Sequence, residues 1–168
     1  LIDGPAWGYR HRARLSVRVV PSKGGVLIGF HQKRSSHIAD MQSCAVLPAQ
    51  VSALVPALHA LIAGLSIADR VPQIEIAVSD TATAFVFRHL LPSRARDLNA
   101  LTTFADTHDI QVWLQPAGPE TAALHHPQDG PGLAYTLPEF DVKMDFRPTD
   151  FTQVNVHINR LLIRRAMQ

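Results

Sequence analysis

Residues 12–19 constrain the fold more than any other stretch of the chain. Arg12, Arg14, Ser16 and Arg18 alternate with Ala13, Leu15, Val17 and Val19, a two-residue period that sends successive side chains to opposite sides of an extended backbone. A helix would scatter these arginines around its axis. A strand gathers them on one wet face and lays the apolar set against a core. Ser22, Lys23, Gly24 and Gly25 then supply turn chemistry, and residues 26–30 resume as a second strand, which predicts a hairpin.

Farther along, the period switches. Residues 31–36 read as a basic loop, and Pro48 suits a first helical turn. Val51, Leu54, Val55, Leu58, Leu61 and Ile62 then keep helical spacing to Gly64, predicting one helix. Residues 73–78 and 83–88 read as a second hairpin around Ser79, Asp80 and Thr81. Ser93 is the expected N-cap of a helix through Leu98, Leu101 and Phe104, with a strand over 110–114 behind it. Residues 116–131, rich in Pro and Gly, read as a surface loop. A last strand pair is expected over 133–137 and 140–146, then a helix over 155–167 with Ile158, Leu161, Leu162 and Ala166 on its apolar side. Hairpins interleaved with helices predict an α+β fold, an antiparallel sheet built from hairpins with about three helices packed on it, rather than a βαβ wound sheet.

At 168 residues, 46% of them hydrophobic, the chain can bury one core of ordinary size. No apolar run reaches the roughly eighteen residues of a membrane-spanning helix. The single cysteine, Cys44, excludes an intramolecular disulfide and fits a reducing cytoplasm. Seven Lys and Arg fall within residues 1–37 against one acid, Asp3, a net +6 that leaves −4 for the rest of a chain totalling +2. That asymmetry suits a polyanion such as nucleic acid, and it equally suits a solvated strand face. No glycine-rich phosphate loop, zinc spacing or nucleophile elbow occurs. His125 and His126 have no third ligand nominated for a metal, and Asp141 and Asp145 read as solvated residues alternating on a strand. Trp113 reads as core, Trp7 as part of a loose N-terminal arm. The chain opens without Met and stops within a helical run, so both ends are expected to be internal to a longer polypeptide.

Five segments, taken in order, carry a resemblance. They are Tyr9-Arg10-His11-Arg12-Ala13-Arg14-Leu15-Ser16; Gly29-Phe30 with Lys33, Ser35-Ser36 and Ile38; Gln42-Ser43-Cys44-Ala45-Val46-Leu47; Phe146-Arg147-Pro148; and the Phe-x-Gln-x-Asn motif of Phe151, Gln153 and Asn155. Over nearly its whole length the chain resembles the region between the N-terminal module and the catalytic domain of the bacterial RNA uracil-5 methyltransferases, closest to those acting on large-subunit ribosomal RNA.

The resemblance implies a division of the chain and a role for particular residues. Residues 1–150 would form a central RNA-binding scaffold, and residues 151–168 would begin a cofactor-binding methyltransferase domain. In that family a Cys thiolate adds to carbon 6 of the uracil, carbon 5 takes a methyl group from S-adenosylmethionine, and a carboxylate removes the carbon 5 proton. The resemblance assigns both catalytic groups to the remainder of the enzyme, so no catalytic residue is expected here and the piece alone is expected to be inactive. Gln153 matches a cofactor contact. Cys44 matches the fourth ligand of an iron-sulfur cluster whose other three cysteines lie upstream in the family; read by itself it is a small buried hydrophobe, and neither S-adenosylmethionine nor a cluster is expected on the piece alone. Arg12, Arg14 and Arg34 are the candidates for ribosomal RNA contact, with Phe151 either a stacking residue or a core aromatic. A cytoplasmic location is expected, with no membrane and no protein partner. The other class of reading is a stand-alone interaction domain that binds an acidic protein through the arginine strand.

Overall fold

In the computed structural model, which describes residues 3–167, the alternating stretch is β1 (Arg12–Val20), and it lies inside a seven-stranded sheet. Its hairpin partner is β2 (Gly25–His31), joined through Gly24 and Gly25, whose φ angles of 88° and 113° are the left-handed region that favours glycine. A short β3 (Ile38–Asp40), which the sequence pattern does not announce, borders β2. The two strands approach so closely at Gly29 that a Cβ there would overlap the Ala39 carbonyl oxygen, a physical reason for glycine at that position. On the other side of β1 lie β4 (Gln73–Val78) and β5 (Thr83–Arg88), then β6 (Gln111–Gln115) and β7 (Ala123–His126), giving the order β3-β2-β1-β4-β5-β6-β7.

One face of this sheet carries the main core. Ala13, Leu15 and Val17 of β1, Ile74 and Ile76 of β4, and Phe85 and Phe87 of β5 share it, as their antiparallel register requires. Against it pack α2 (Val55–Gly64), through Leu58 and Ile62, and α3 (Ala95–His108), through Leu101 and Phe104. Phe85 and Phe104 meet edge to face at 6.4 Å. Ala77, Ala84 and Trp113 on the opposite face are covered by a separate two-stranded hairpin, β8 (Leu133–Leu137) and β9 (Val142–Phe146), through Leu133 and Phe146. Last comes α4 (Val156–Ala166), capped by Asn155, whose Oδ1 accepts from the Ile158 amide at 3.0 Å.

Several local expectations give way to competing physics. The single helix predicted from Pro48 is two, a one-turn α1 (Ala49–Ser52) and then α2, because Pro56 has no N–H to continue the ladder from Ser52. Residues 116–131 are not all loop: Leu124 pairs with Trp113 and extends the sheet as β7. The sheet is antiparallel apart from one pair, β5 with β6, whose connection through α3 is the crossover step that the hairpin pattern argued against. Asp141 lies outside β9, capping a short turn with φ 51°, and Trp113 is half-buried at the edge of the smaller cluster.

The N-cap of α3 also moves, from Ser93 to Arg94, and the cause is Asp97. Only 1% exposed, its carboxylate accepts from the Ser66 amide at 2.7 Å, the Ser66 hydroxyl and the Arg94 amide at 3.0 Å. Burial alone would raise its pKa, but these hydrogen bonds, with Arg96 nearby, outweigh it and hold the group below the ordinary carboxylate range. A depressed folded pKa stabilises the protein above the unfolded value, and that contribution disappears as pH falls through the folded one. Asp97→Asn is therefore expected to lose about 1–3 kcal/mol at pH 7. Urea unfolding should show the gap to the unsubstituted protein narrowing once pH drops below the usual carboxylate range.

Candidate nucleic-acid interface

Two arginines of β1, Arg12 and Arg14, meet one acid. Register places Arg14 directly opposite Glu75 of β4, and Arg12 opposite Ala77, so all three charged side chains share the face away from the main core. Arg14 donates through Nε at 3.1 Å and Nη2 at 2.9 Å to Glu75 Oε1, and Gln73 Nε2 donates to the same oxygen at 2.9 Å. Arg12 Nη2 lies 3.7 Å from Oε2. Their exposures differ: the Arg14 side chain is 65% exposed and the Arg12 side chain 16%. Burial pulls the Arg12 pKa down and Glu75 and Asp150 push it back up, yet a guanidinium stays charged at neutral pH. Glu75 thus fixes both cations in direction while Arg14 still reaches solvent.

The end of the chain supplies the opposite wall. The His11 amide donates to the Val154 carbonyl at 2.8 Å, and Arg10 bridges to Asn155 in antiparallel fashion. On the other side, the Arg147 amide donates to Asp150 Oδ2 at 2.7 Å and the Asp150 amide returns to the Arg147 carbonyl at 2.9 Å, closing a turn. Residues 151–154 are strung between that turn and the cap of α4. Phe151 projects from them, 86% exposed, so its reading as a core aromatic is incorrect. Between the two walls lies a cleft of about 400 Å³ lined by Arg10, Arg12, Arg14, Glu75, Phe151 and Thr152, among others. Arg10 also sits over the Phe30 ring at 5.7 Å.

Of the residues singled out in the sequence, Arg12, Arg14 and Phe151 come together here. Arg34 does not line the cleft; it stands exposed in the loop between β2 and β3, with φ 57°. Gln153 is exposed beside a cavity of about 20 Å³ that also touches His11, Tyr135 and Asn159. Burial lowers the His11 pKa, Asp80 opposing and Arg160 reinforcing. Cys44 is half-buried rather than buried, in a mostly apolar hollow of about 610 Å³ shared with Trp7, Leu47 and Pro56, where its amide donates to Ser52 Oγ at 2.8 Å. Among the described residues no group of three or more His, Cys, Asp or Glu side chains could hold a metal ion. His126 instead meets Asp106 at 2.6 Å and His125 meets Thr102 at 3.1 Å. Glu75 and Arg10 are the members that sequence reasoning missed. An acid alternating with isoleucines in an otherwise apolar strand was the available signal for Glu75.

In fold, the chain is similar to the tRNA (uracil-54, C5)-methyltransferase of Pyrococcus abyssi, a structure solved in complex with S-adenosyl-L-homocysteine. The TM-score is 0.69 over 96% of this chain and 41% of that one, and at 16% identity the likeness is one of fold. Sequence carries the comparison further. The 23S rRNA (uracil(1939)-C(5))-methyltransferases of Azoarcus sp. (strain BH72) and Aromatoleum aromaticum are 69% and 65% identical to the chain over 99% of its length, and that of Cupriavidus pinatubonensis is 57% identical. No protein-family model matches. By sequence, nearly the whole chain is similar to part of these bacterial 23S rRNA uracil-5 methyltransferases. It spans about 39% of the length of the first two of these relatives.

The two walls of the cleft should respond differently to substitution. Glu75→Ala removes the main counter-charge of the largely buried Arg12, leaving Asp150, and a loss of about 1–3 kcal/mol is expected in urea unfolding. Phe151→Ser, at an exposed position, is expected to stay within about 0.5 kcal/mol of the unsubstituted protein.

Proposed function

We propose that this chain is the central, RNA-binding region of an enzyme that methylates carbon 5 of a uridine in large-subunit ribosomal RNA, using S-adenosylmethionine as methyl donor. The observation that carries this reading is the cleft in which Arg12 and Arg14 face the exposed ring of Phe151. Chemistry on a base requires the base to leave its stack, so the protein must hold splayed RNA by its phosphates and offer a flat surface to an unstacked ring. Guanidinium groups supply the first and Phe151 the second. The names of the relatives, all large-subunit ribosomal RNA uracil-5 methyltransferases, support the substrate.

Residues 1–150 act as scaffold in this reading, and residues 151–168 open the cofactor-binding domain. Arg34 adds a phosphate contact from its exposed loop. The catalytic thiolate and the proton acceptor lie elsewhere in the longer enzyme, which works in the cytoplasm, so the chain by itself does not methylate. Gln153, with both an amide donor and an acceptor, forms part of the rim for S-adenosylmethionine; the cavity of about 20 Å³ beside it is far below the roughly 300–1,000 Å³ of a cofactor site. For an iron-sulfur cluster the residues present do not fit. Cys44 is the one thiol of the chain, and a cluster needs several thiolates. Its role as fourth ligand belongs to the longer protein.

Arg14→Ala is expected to weaken binding of a uridine-loop RNA hairpin and to lower the slope of log affinity against log salt by about one, without unfolding the chain. Fluorescence anisotropy at several salt concentrations measures both. Unchanged affinity, or equal retention of an acidic peptide in place of RNA, would count against the assignment. Titration calorimetry of S-adenosylmethionine into the chain alone is expected to give no micromolar binding, since Gln153 is one contact among the many that such affinity requires.

A further inference from the structure

A second surface lies at the far end of the same sheet. Arg12 pairs with Ala77, near one end of β4, whereas Arg88 pairs with Gln73 at the other, four residues or roughly 13 Å along the strand. Arg88 falls on the face that carries Glu75 and the arginines of β1, because Val86 is the partner of Glu75. From Arg88 the chain enters a loop, His89-Leu90-Leu91-Pro92-Ser93-Arg94, that leads into α3. Two neighbouring leucines stand out from it, Leu90 53% and Leu91 49% exposed.

The backbone that presents them is tied down on three sides. The His89 amide donates to the Gln115 carbonyl at 3.1 Å, the Leu90 amide donates to the Arg70 carbonyl at 2.8 Å, and His89 Nδ1 meets the Leu91 carbonyl at 2.8 Å. Neighbouring apolar side chains held out into water on a pinned backbone suit a contact surface. The charge around them identifies the kind of partner. Arg88, Arg94 and Arg96 flank the leucines in sequence; the exposed Asp69 is paired with Arg70 at 3.2 Å, and Asp97 is buried and already accepts from Ser66 and Arg94. The Arg96 side chain remains 68% exposed, 3.7 Å from that carboxylate.

We infer that this loop is a second RNA contact, in which Leu90 and Leu91 pack against base faces exposed at a loop or helix end while Arg94 and Arg96 hold the flanking phosphates. Apolar side chains, leucine among them, are used against unstacked base steps, and arginine is suited to phosphate. The inference rests on the proposed RNA-binding function, which it extends from one cleft to two footholds on one sheet.

The test compares the chain with a Leu90→Ser/Leu91→Ser variant, an Arg94→Ala/Arg96→Ala variant and Arg14→Ala. Binding is read by fluorescence anisotropy on a uridine-loop RNA hairpin and on heparin, a polyanion with no bases. The leucine variant is expected to bind the hairpin about tenfold more weakly with an unchanged salt slope, and heparin as before. The double arginine variant is expected to lower the slope on both ligands by about two. Hairpin binding untouched in the leucine variant, while Arg14→Ala still weakens it, overturns the second contact and leaves the RNA reading intact. An unsubstituted chain that holds no RNA removes both. Should the leucine substitutions instead abolish dimerisation in sedimentation, or binding to vesicles containing anionic phospholipid, with RNA affinity unmoved, the leucines belong to a second copy or to a lipid surface and the inference fails.

Discussion

Everything in this molecule is referred to β1, whose backbone is shared between two neighbours. Its first half pairs with β4 and its second half with β2, with Ser16 common to both registers. A strand so committed has no freedom to slip, because a shift of one residue would turn Ala13, Leu15 and Val17 into water and drive arginines under the helices. The pairing therefore fixes the core and the cationic face in a single act. Apolar core and cationic face draw on the same alternation.

That double use explains Glu75. A strand with arginines on one side needs a neighbour that tolerates them, and a carboxylate opposite Arg14 neutralises charge where the sheet is most enclosed. The pair is not a large source of stability, since the outer guanidinium is solvated. Its effect is directional: with both arginines drawn toward one carboxylate, they line one cleft instead of spreading over the sheet. The same logic recurs at Asp97, where a single buried acid ties the Ser66 segment to the first turn of α3.

Legibility in the sequence followed the strength of local signals. The period of two in β1, the hairpin of β4 and β5, and the helix from residue 155 could be read because each is specified by residues adjacent in the chain. The parallel pairing of β5 with β6 could not, since it depends on how α3 packs back onto the sheet, and β7 was hidden by the prolines and glycines around four ordinary residues. In the cleft, Arg12 and Arg14 were legible as a face. Glu75 was not, because register across sixty residues is invisible to a local pattern; Arg10, two residues before Arg12, continues the alternation but lies outside β1, held by its bridge to Asn155. Phe151 was ambiguous in principle: an aromatic ring in a short irregular segment looks alike whether it is sheltered or solvated, and only the turn at Arg147 and Asp150 decides that it points outward.

The hydrogen bond from the His11 amide to the Val154 carbonyl joins points about 140 residues apart in the chain, and contacts of such separation carry the highest closure cost. During synthesis at about 5–20 residues per second, the first strand would wait roughly seven to thirty seconds before its last neighbour left the ribosome. In the later part of that interval, once β4 has brought Glu75, the cationic face stands assembled but unroofed. Translation order thus makes the segment bearing Phe151 the final closure of the cleft.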